Sequence, residues 1–445
     1  MLADIKYVLI GTLAMTCVAA QTPQVITFKD AVDIALEHNA DLRQVQVDSA
    51  LTDVSVSEAR MQFVPDLQLD ATGARNYGRS FDRTTGSVLD KTTESATINA
   101  SSGVTLFNGF RGLSTLRRAK LDRAAGRLDL KRAEQTVVFT VASDFVTLMQ
   151  AQEQLRVLRE NLLAESNLER QIQQYVEAGA REAAVLYQQE ANAAAARLAV
   201  VQAQNAMESA QVTLMRTLQL DPAGTYDFQF PAEVTAERSA QSPELAQLLQ
   251  QALDRRSDLK AEEARLAAAE QGLRIAHAGF WPTLSLSAGY GSAYSSASAS
   301  SFGNQLDLQR GGAVGLGLSI PLFDRGEAHH ASRRARLELT RARISLDAAR
   351  TEVGLQVRQA FQDYRSAREQ LATAEAQKSA AERAVQTAEE RFRSGVTSLV
   401  EVTQARDRHV LAATALVDAR ANLLLQRTLM EYSLGTFSRE AFTGQ

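Results

Sequence analysis

Apolar residues recur at alternating four- and three-residue steps in two long stretches of this chain. One stripe runs Val353, Val357, Ala360, Tyr364, Ala367, Leu371, Ala374, then Ala381, Val385, Ala388 and Phe392, interrupted once by Lys378. The other runs Val137, Val141, Leu148, Ala151, Leu155, Leu158, Leu162, Ile172 and Val176, with Asp144 inside it. Such heptad seams, flanked by Arg, Glu and Gln, predict long paired helices. Many seam positions are Ala, so the helix axes can approach closely. A plain antiparallel coiled coil would show the same seams.

The helices that follow from this pattern are unusually long. Between 111 and about 178 the only internal glycines are Gly112 and Gly126. At 1.5 Å per residue the run spans roughly 100 Å, and a matching run covers 324–394. Gly179 and Gly395 stand where each helix ends and suit a left-handed C-cap. A shorter helix returns over 183–218 and again over 398–434, each roughly 55 Å long. Helices within 28–63 and 244–280 supply the missing height, so two short helices stacked end to end equal one long one. That match predicts a tall cylinder.

Over 65–106 the period changes to two. Leu67 and Leu69 alternate with Gln68 and Asp70, and Ala96, Ile98, Ala100, Val104 and Leu106 alternate with polar or small residues. Over 282–321, Leu284, Leu286, Ala288 and Tyr290 alternate with Ser285, Ser287, Gly289 and Gly291, while Val314, Leu316, Leu318 and Ile320 alternate with Gly315, Gly317 and Ser319. Each strand has about 9–12 residues, the length that crosses a bilayer as tilted β-structure. The stretches 78–92 and 292–312 are read as hairpin loops, giving four strands per chain. Four strands cannot close a barrel, and open apolar-faced edges invite aggregation. Closure then requires several chains; two hairpins on a soluble protein are the other reading of the same pattern.

The chain is written twice. A shift of 216–217 residues places Phe63-Val64-Pro65 on Phe280-Trp281-Pro282, Leu106-Phe107-Asn108 on Leu322-Phe323-Asp324, Phe145 on Phe361, Gly179 on Gly395 and Leu218 on Leu434. The register holds through rare residues, which Ala/Gln-rich similarity would not do. Prolines fall at 23, 65, 222, 231, 243, 282 and 321. Pro65, Pro282 and Pro321 mark the helix–strand junctions, Pro222, Pro231 and Pro243 a link over 221–243, and Pro23 follows the export signal; the long helices are left uninterrupted. The predicted order is a signal peptide (1–20), a first repeat (21–220), the link, a second repeat (244–435) and a tail (436–445).

Composition removes several classes. With 48 Lys+Arg against 52 Asp+Glu among 445 residues, the chain lacks the basic excess of a nucleic-acid binder. Its single cysteine, Cys17, excludes a disulfide framework and a Cys-based zinc site. The apolar run 7–20 ending Val18-Ala19-Ala20 reads as an export signal, too short to span a bilayer. No phosphate-cradling loop, nucleophile elbow or His-x-x-x-His pair occurs. Gly311-Gly312-Ala313-Val314-Gly315 leads into a strand instead of a helix, and His329-His330 reads as a solvated pair. Neither an enzyme nor a cofactor is expected.

Three doubled marks carry a resemblance. They are the aromatic-x-Pro lead into the first strand of each half (Phe63-Val64-Pro65, Phe280-Trp281-Pro282), Leu-Phe-Asn-Gly-Phe at 106–110 with Pro-Leu-Phe-Asp-Arg-Gly at 321–326, and the segments around Gly179 and Gly395. Together they resemble the outer membrane efflux protein family, the TolC-like outer membrane factors. The resemblance implies a mainly α fold with a membrane β-barrel: a homotrimer with a 12-stranded barrel in outer membrane lipid and a long periplasmic α-helical barrel. A small equatorial region would form around 221–256 and the termini. It implies a passive exit duct, the outer membrane component of a tripartite efflux or type I secretion system. The duct would dock on a periplasmic adaptor (membrane fusion) protein and an inner-membrane transporter. Gly179, Gly395, Val396, Ser398, Leu399 and Val400 match the turns where adaptors dock. Glu401 matches an acidic position that narrows the periplasmic entrance, and the acidic position one turn later is Gln404 here. First-half polar partners are replaced by Ala184 and Val185. The alternative is a secreted long-helical scaffold or adhesin without a pore, with Glu401 a solvated surface carboxylate.

Overall fold

A computed structural model describes residues 24–82, 86–90, 92–229 and 244–437. The expected signal peptide, most of the link and all but the first two residues of the tail lie outside them. Two helices of 67 residues, α3 (Arg111–Glu177) and α8 (Glu327–Arg393), dominate the molecule. Beside them run α2 (Ala40–Met61), α4 (Ala183–Leu218), α6 (Ser257–His277) and α9 (Leu399–Ser433). Near the sheet α3 packs between α2 and α6; farther away it packs between α4 and α9. The short helices therefore stack end to end, α2 over α4 and α6 over α9. The chain is a layer of four helix columns with the two long helices spanning its height. Among the described residues no helix is long and apolar enough to cross a membrane.

The seams face inward as their spacing predicts. Val137, Val141, Leu148, Leu155 and Ile172 on α3, and Val353, Val357, Ala360, Ala367, Leu371, Ala374, Ala388 and Phe392 on α8, are buried. Asp144 is half-buried within the first seam and accepts a hydrogen bond from Thr217 Oγ1 at 2.5 Å.

The sheet order is β2 (Gln68–Asn76), β5 (Thr93–Asn108), β7 (Thr283–Ser295), β8 (Gly311–Ser319), all antiparallel. Cross-strand register turns the period-2 pattern into two distinct faces. On one face lie the rows Leu69–Ala100–Tyr290–Gly312 and Val104–Leu286–Leu316; on the other, Thr105–Ser285–Gly317 and Gly103–Ser287–Gly315. One face is apolar, the other small and polar. Among the described residues no strand lies beside the outer edges of β2 and β8. The expected loop at 78–92 carries a ribbon of β3 (Arg79–Asp82) and β4 (Ser87–Asp90). The expected loop at 292–312 instead starts with the last residues of β7 and holds α7 (Phe302–Leu308). There Gln305 is buried and its side chain binds the backbone of Ser295 and Ser300, an ordering that a Ser/Gly-rich composition does not announce.

The doubled Leu-Phe-Asn/Asp motif is a strand-to-helix turn. Asn108 Oδ1 accepts from Gly112 N at 3.2 Å, and the matching Asp324 Oδ2 accepts from Ala328 N at 2.7 Å. Both caps need two consecutive left-handed residues: Gly109 and Phe110 in the first copy, Arg325 and Gly326 in the second. A side chain at 109 would meet Trp281 Cβ at 2.6 Å, so only glycine fits there, whereas Arg325 is accommodated.

A strap crosses one side of the helix layer. It comprises β1 (Gln24–Thr27), paired in parallel with β6 (Tyr226–Gln229), with α1 (Phe28–His38) and α5 (Leu245–Arg255). Phe28 and Phe228 meet Phe145 of α3 edge-on at 5.5 and 5.9 Å. Leu248 and Ala252 of α5 pack on Val353 and Val357. Neither β1 nor β6 was expected: four residues are too few to show a period. The tail was expected to begin at 436, yet Phe437 is 2% exposed and belongs to the Phe28–Phe145 core.

Burial pushes the Asp144 carboxyl above its ordinary value of 3.8, against the opposing hydrogen bond from Thr217 and the charge of Arg216. A carboxyl with a raised folded-state pKa contributes full stability below its unfolded pKa and loses it as pH rises through the folded value. Asp144→Asn keeps an acceptor for Thr217 and removes the buried charge. The variant is expected to melt at a higher temperature than the native chain at pH 7, with the difference vanishing near pH 4, as followed by helical circular dichroism. An equal difference at both pH values would disprove the assignment.

Candidate functional site

The helix ends farthest from the sheet form the candidate site. Each long helix stops in the same way. Gly179 and Gly395 have φ of +71° and +73°. Gly179 N donates to Val176 O at 3.0 Å and Ala180 N to Tyr175 O at 2.8 Å; Gly395 N donates to Phe392 O at 3.1 Å and Val396 N to Arg391 O at 2.9 Å. These are paired Schellman caps, and they satisfy carbonyls that the helix leaves open. A Cβ at either glycine would meet nothing within 4 Å. Backbone conformation selects glycine here, and the space beyond each turn is open.

Beneath the turns lies a small apolar core of Leu168, Ile172, Ala388, Phe392, Leu399 and Val402. Leu399 is 6% exposed, so it holds the turn together from inside. Val396 and Val400 are 67% and 50% exposed and stand on the surface with Ser398, the N-cap of α9. Arg181 of the first turn lies over the Phe392 ring at 4.6 Å and donates to Phe392 O, tying the two turns together. Glu401 is half-exposed and already engaged: Arg391 Nη1 donates to it at 2.9 Å and Thr397 Oγ1 also donates to it. Gln404 is exposed one turn on. The structure thus gathers the eight expected residues at one end of the chain, with Leu399 turned inward and Glu401 held by its own helix pair.

A polar network just above this core was not foreseen. Glu165 and Gln189 are buried, and Gln189 Nε2 donates to Glu165 Oε2 at 2.5 Å. Arg406 donates to Glu165 Oε1 at 3.1 Å and to Glu389 Oε1 at 2.6 Å, and Asn192 bridges Gln189 and Thr403. The network joins α3, α4, α8 and α9. Burial first, and then the charge of Glu165, pushes the nearby Asp407 carboxyl up. Glu165 stands at seam spacing between Leu162 and Leu168, a polar residue in an apolar stripe. That was the available signal; its partners on three other helices leave no trace in local spacing. Among the described residues no cluster of His, Cys, Asp or Glu has the makings of a metal site.

Removing one partner from a buried pair leaves a charge without compensation. Arg406→Met is expected to destabilise the helical layer by about 3 kcal/mol, the low end of that effect because Gln189 still donates to Glu165. Adding Glu165→Gln should restore much of the loss. Chemical denaturation of both variants measures this, and a double variant no better than Arg406→Met would refute the pairing.

Comparison with known proteins matches this architecture. A family model described as outer membrane efflux protein covers residues 31–218 and 248–436, one match for each half. Protein CyaE of Bordetella pertussis is 30% identical over 319 residues, covering 70% of this chain and 63% of that protein. The pyoverdine export outer membrane protein OpmQ of Pseudomonas putida is 28% identical over 272 residues, covering 61% of this chain and 52% of its own length. The matches therefore span about half to two thirds of these relatives. Among solved structures, the CmeC outer membrane channel of Campylobacter jejuni superposes with a TM-score of 0.80 at 19% identity, covering 94% of this chain and 87% of that one. The outer-membrane channel OprN gives 0.79 at 23% identity, covering 92% and 90%. These likenesses extend over the whole sheet-and-column fold, and, with both halves matched separately, this chain belongs to the outer membrane efflux protein family.

Proposed function

We propose that this chain is the outer membrane exit duct of a tripartite export machine, built from three copies. One observation carries the reading: the sheet has an apolar face, a small polar face and two strand edges without partners. An open edge is not tolerated in hydrocarbon, where each unpaired amide and carbonyl costs several kcal/mol. Pairing β8 of one copy with β2 of the next closes the sheet. It turns Leu69, Val314, Leu316 and Leu318, all more than 60% exposed in the single chain, toward lipid, and the Gly/Ser face toward a bore.

The helix columns ask for the same neighbour. Leu337, Ile344 and Leu355 lie on the side of α8 opposite its buried seam and are 58–65% exposed; Val47, Leu51 and Val54 are similarly exposed on α2, and Leu198, Val201 and Val212 on α4. A ring of three copies covers both flanks at once. The turns around Gly179 and Gly395, with open space beyond them and Val396, Ser398 and Val400 on their surface, then serve as the docking end for a periplasmic adaptor and, through it, an inner-membrane transporter. The bore side of the sheet is mostly small and polar, with Asp70 and Asn99 paired in register on it. In this reading energy and choice of cargo reside in those partners.

Reconstitution in planar bilayers tests the duct. The native chain is expected to extract only with detergent, to run as a trimer and to conduct ions. Leu316→Arg, on the lipid side, should cost about 2–4 kcal/mol and impair insertion, whereas Ser287→Arg, on the bore side, should insert and lower conductance. A water-soluble monomer would overturn the duct and favour a secreted helical scaffold.

Docking is tested separately at the turn. Gly395→Trp adds bulk to open space at a backbone strain of about 1–2 kcal/mol, too little to unfold helices of this length. Trimers should form while export from cells is abolished. Undiminished export would place docking elsewhere.

A further inference from the structure

The strap marks the outer side of the helix layer, because α1 and α5 would obstruct the bore if they lay within it. On α3 Phe145 lies under the strap, in ring contact with Phe28 and Phe228. On α8 Gly354 lies under it, its Cβ position 4.0 Å from Leu249 of α5. Stepping back toward the sheet by threes and fours keeps to the same side of each helix. The steps lead to Lys131, Lys120 and Arg117 on α3, and to Arg343, Arg336 and Arg333 on α8. All six side chains are exposed. Among the described residues none of the six forms an ion pair, unlike Arg118, Arg123, Arg127 and Arg350 nearby. Arg117 matches Arg333, and Lys120 matches Arg336, in the register that relates the two halves. Each copy therefore carries the outward basic patch twice.

From these positions we infer that the top of the helical layer is a basic collar that binds anionic phospholipid headgroups of the adjoining leaflet. The inference rests on the proposal that the sheet spans a bilayer. Arg117 and Arg333 are each six residues from the start of their helix, about 9 Å along it, and Lys120 and Arg336 are about 14 Å along. The headgroup layer extends about 5–7 Å beyond the hydrocarbon. Side chains on a helix lean toward its N-terminus, which for both α3 and α8 is the sheet end, so the charged groups lean toward the membrane. Long Lys and Arg stems close the remaining gap by snorkelling. Phe63, Phe110, Phe280, Trp281 and Phe323, all at least 44% exposed, surround the sheet–helix junction just above the collar. Aromatics at the interface with cations beyond them are the usual arrangement at a membrane boundary. Lys131 and Arg343 lie deeper and extend the positive field.

The test uses the full chain in vesicles of equal parts phosphatidylcholine and phosphatidylglycerol with identical acyl chains, followed by mass spectrometry of the lipids that stay bound after extraction. The native trimer is expected to retain phosphatidylglycerol in excess, and high salt should erase that excess. Neutralising Arg117, Lys120, Arg333 and Arg336 together to Gln should lower it at least about fivefold, the effect of a single basic residue near a charged surface. Neutralising Arg159, Arg197, Arg383 and Arg408, which are also exposed but far from the sheet, should leave it unchanged. A salt-insensitive excess, or one unaffected by the collar substitutions, would overturn the inference. So would binding to purified peptidoglycan lost in the collar variant while the lipid excess persists, since the collar would then read the cell wall. Failure of the native chain to enter vesicles would remove the duct reading as well; entry without any lipid preference removes the collar alone.

Discussion

Among the described residues no strand pairs with the outer edges of β2 and β8, whose backbone amides and carbonyls are left for a partner. In water that edge would be an aggregation site, and in hydrocarbon it would be prohibitively costly. Pairing edge to edge with further copies satisfies these groups without altering the sheet's own register. The same operation sorts its faces, because alternation along every strand fixes which side chains point outward once the sheet curls. In the proposed closed barrel the apolar rows through Tyr290 and Leu316 would meet lipid and the Gly–Ser rows would line the bore. In the proposed assembly, oligomerisation is thus part of folding.

The helical layer inherits its dimensions from that sheet. Two strand-to-helix turns, each capped by Asn108 or Asp324 through a pair of left-handed residues, launch the long helices in the same sense from the same level. Because both then run 67 residues, both reach the same depth and both turn at glycine. The shorter helices fill the columns beside them by stacking. The strap, with the Phe28–Phe145–Phe228 contacts and Phe437, covers one side of the layer near mid-height. Apolar packing holds the layer along its length, and the Gln189–Glu165–Arg406–Glu389 network holds α4, α3, α9 and α8 together near the turns. That network is buried polar chemistry in a fold made mostly of Ala and Leu contacts, and it fixes which helices meet there.

Much of this was legible in local pattern. Period 3.5 identified the seams at Val141 and Val357 because every seam residue contributes the same signal over many turns. Period 2 identified the strands around Leu286 and Leu316, since one face must differ from the other. Repetition of rare residues at a fixed shift exposed the duplication. What escaped notice was short or non-local: four-residue strands at 24–27 and 226–229, a helix at 302–308 organised by the buried Gln305, and the packing of Phe437. Each depends on a partner distant in sequence or on a single well-placed side chain, and neither produces a period.

The candidate site divides the same way. The sequence alone determined that two helices end at Gly179 and Gly395, since a left-handed cap is a local backbone requirement. It also determined that Val396, Ser398, Leu399, Val400, Glu401 and Gln404 follow the second cap. Only the tertiary structure decided that Leu399 faces the core while Val396 and Val400 face outward, and that Glu401 is bound by Arg391 and Thr397. It likewise decided that the basic residues after Arg111 and Glu327 share the strap's side of the layer. Residue order fixes which groups neighbour one another along a helix; their direction depends on where the other helices lie.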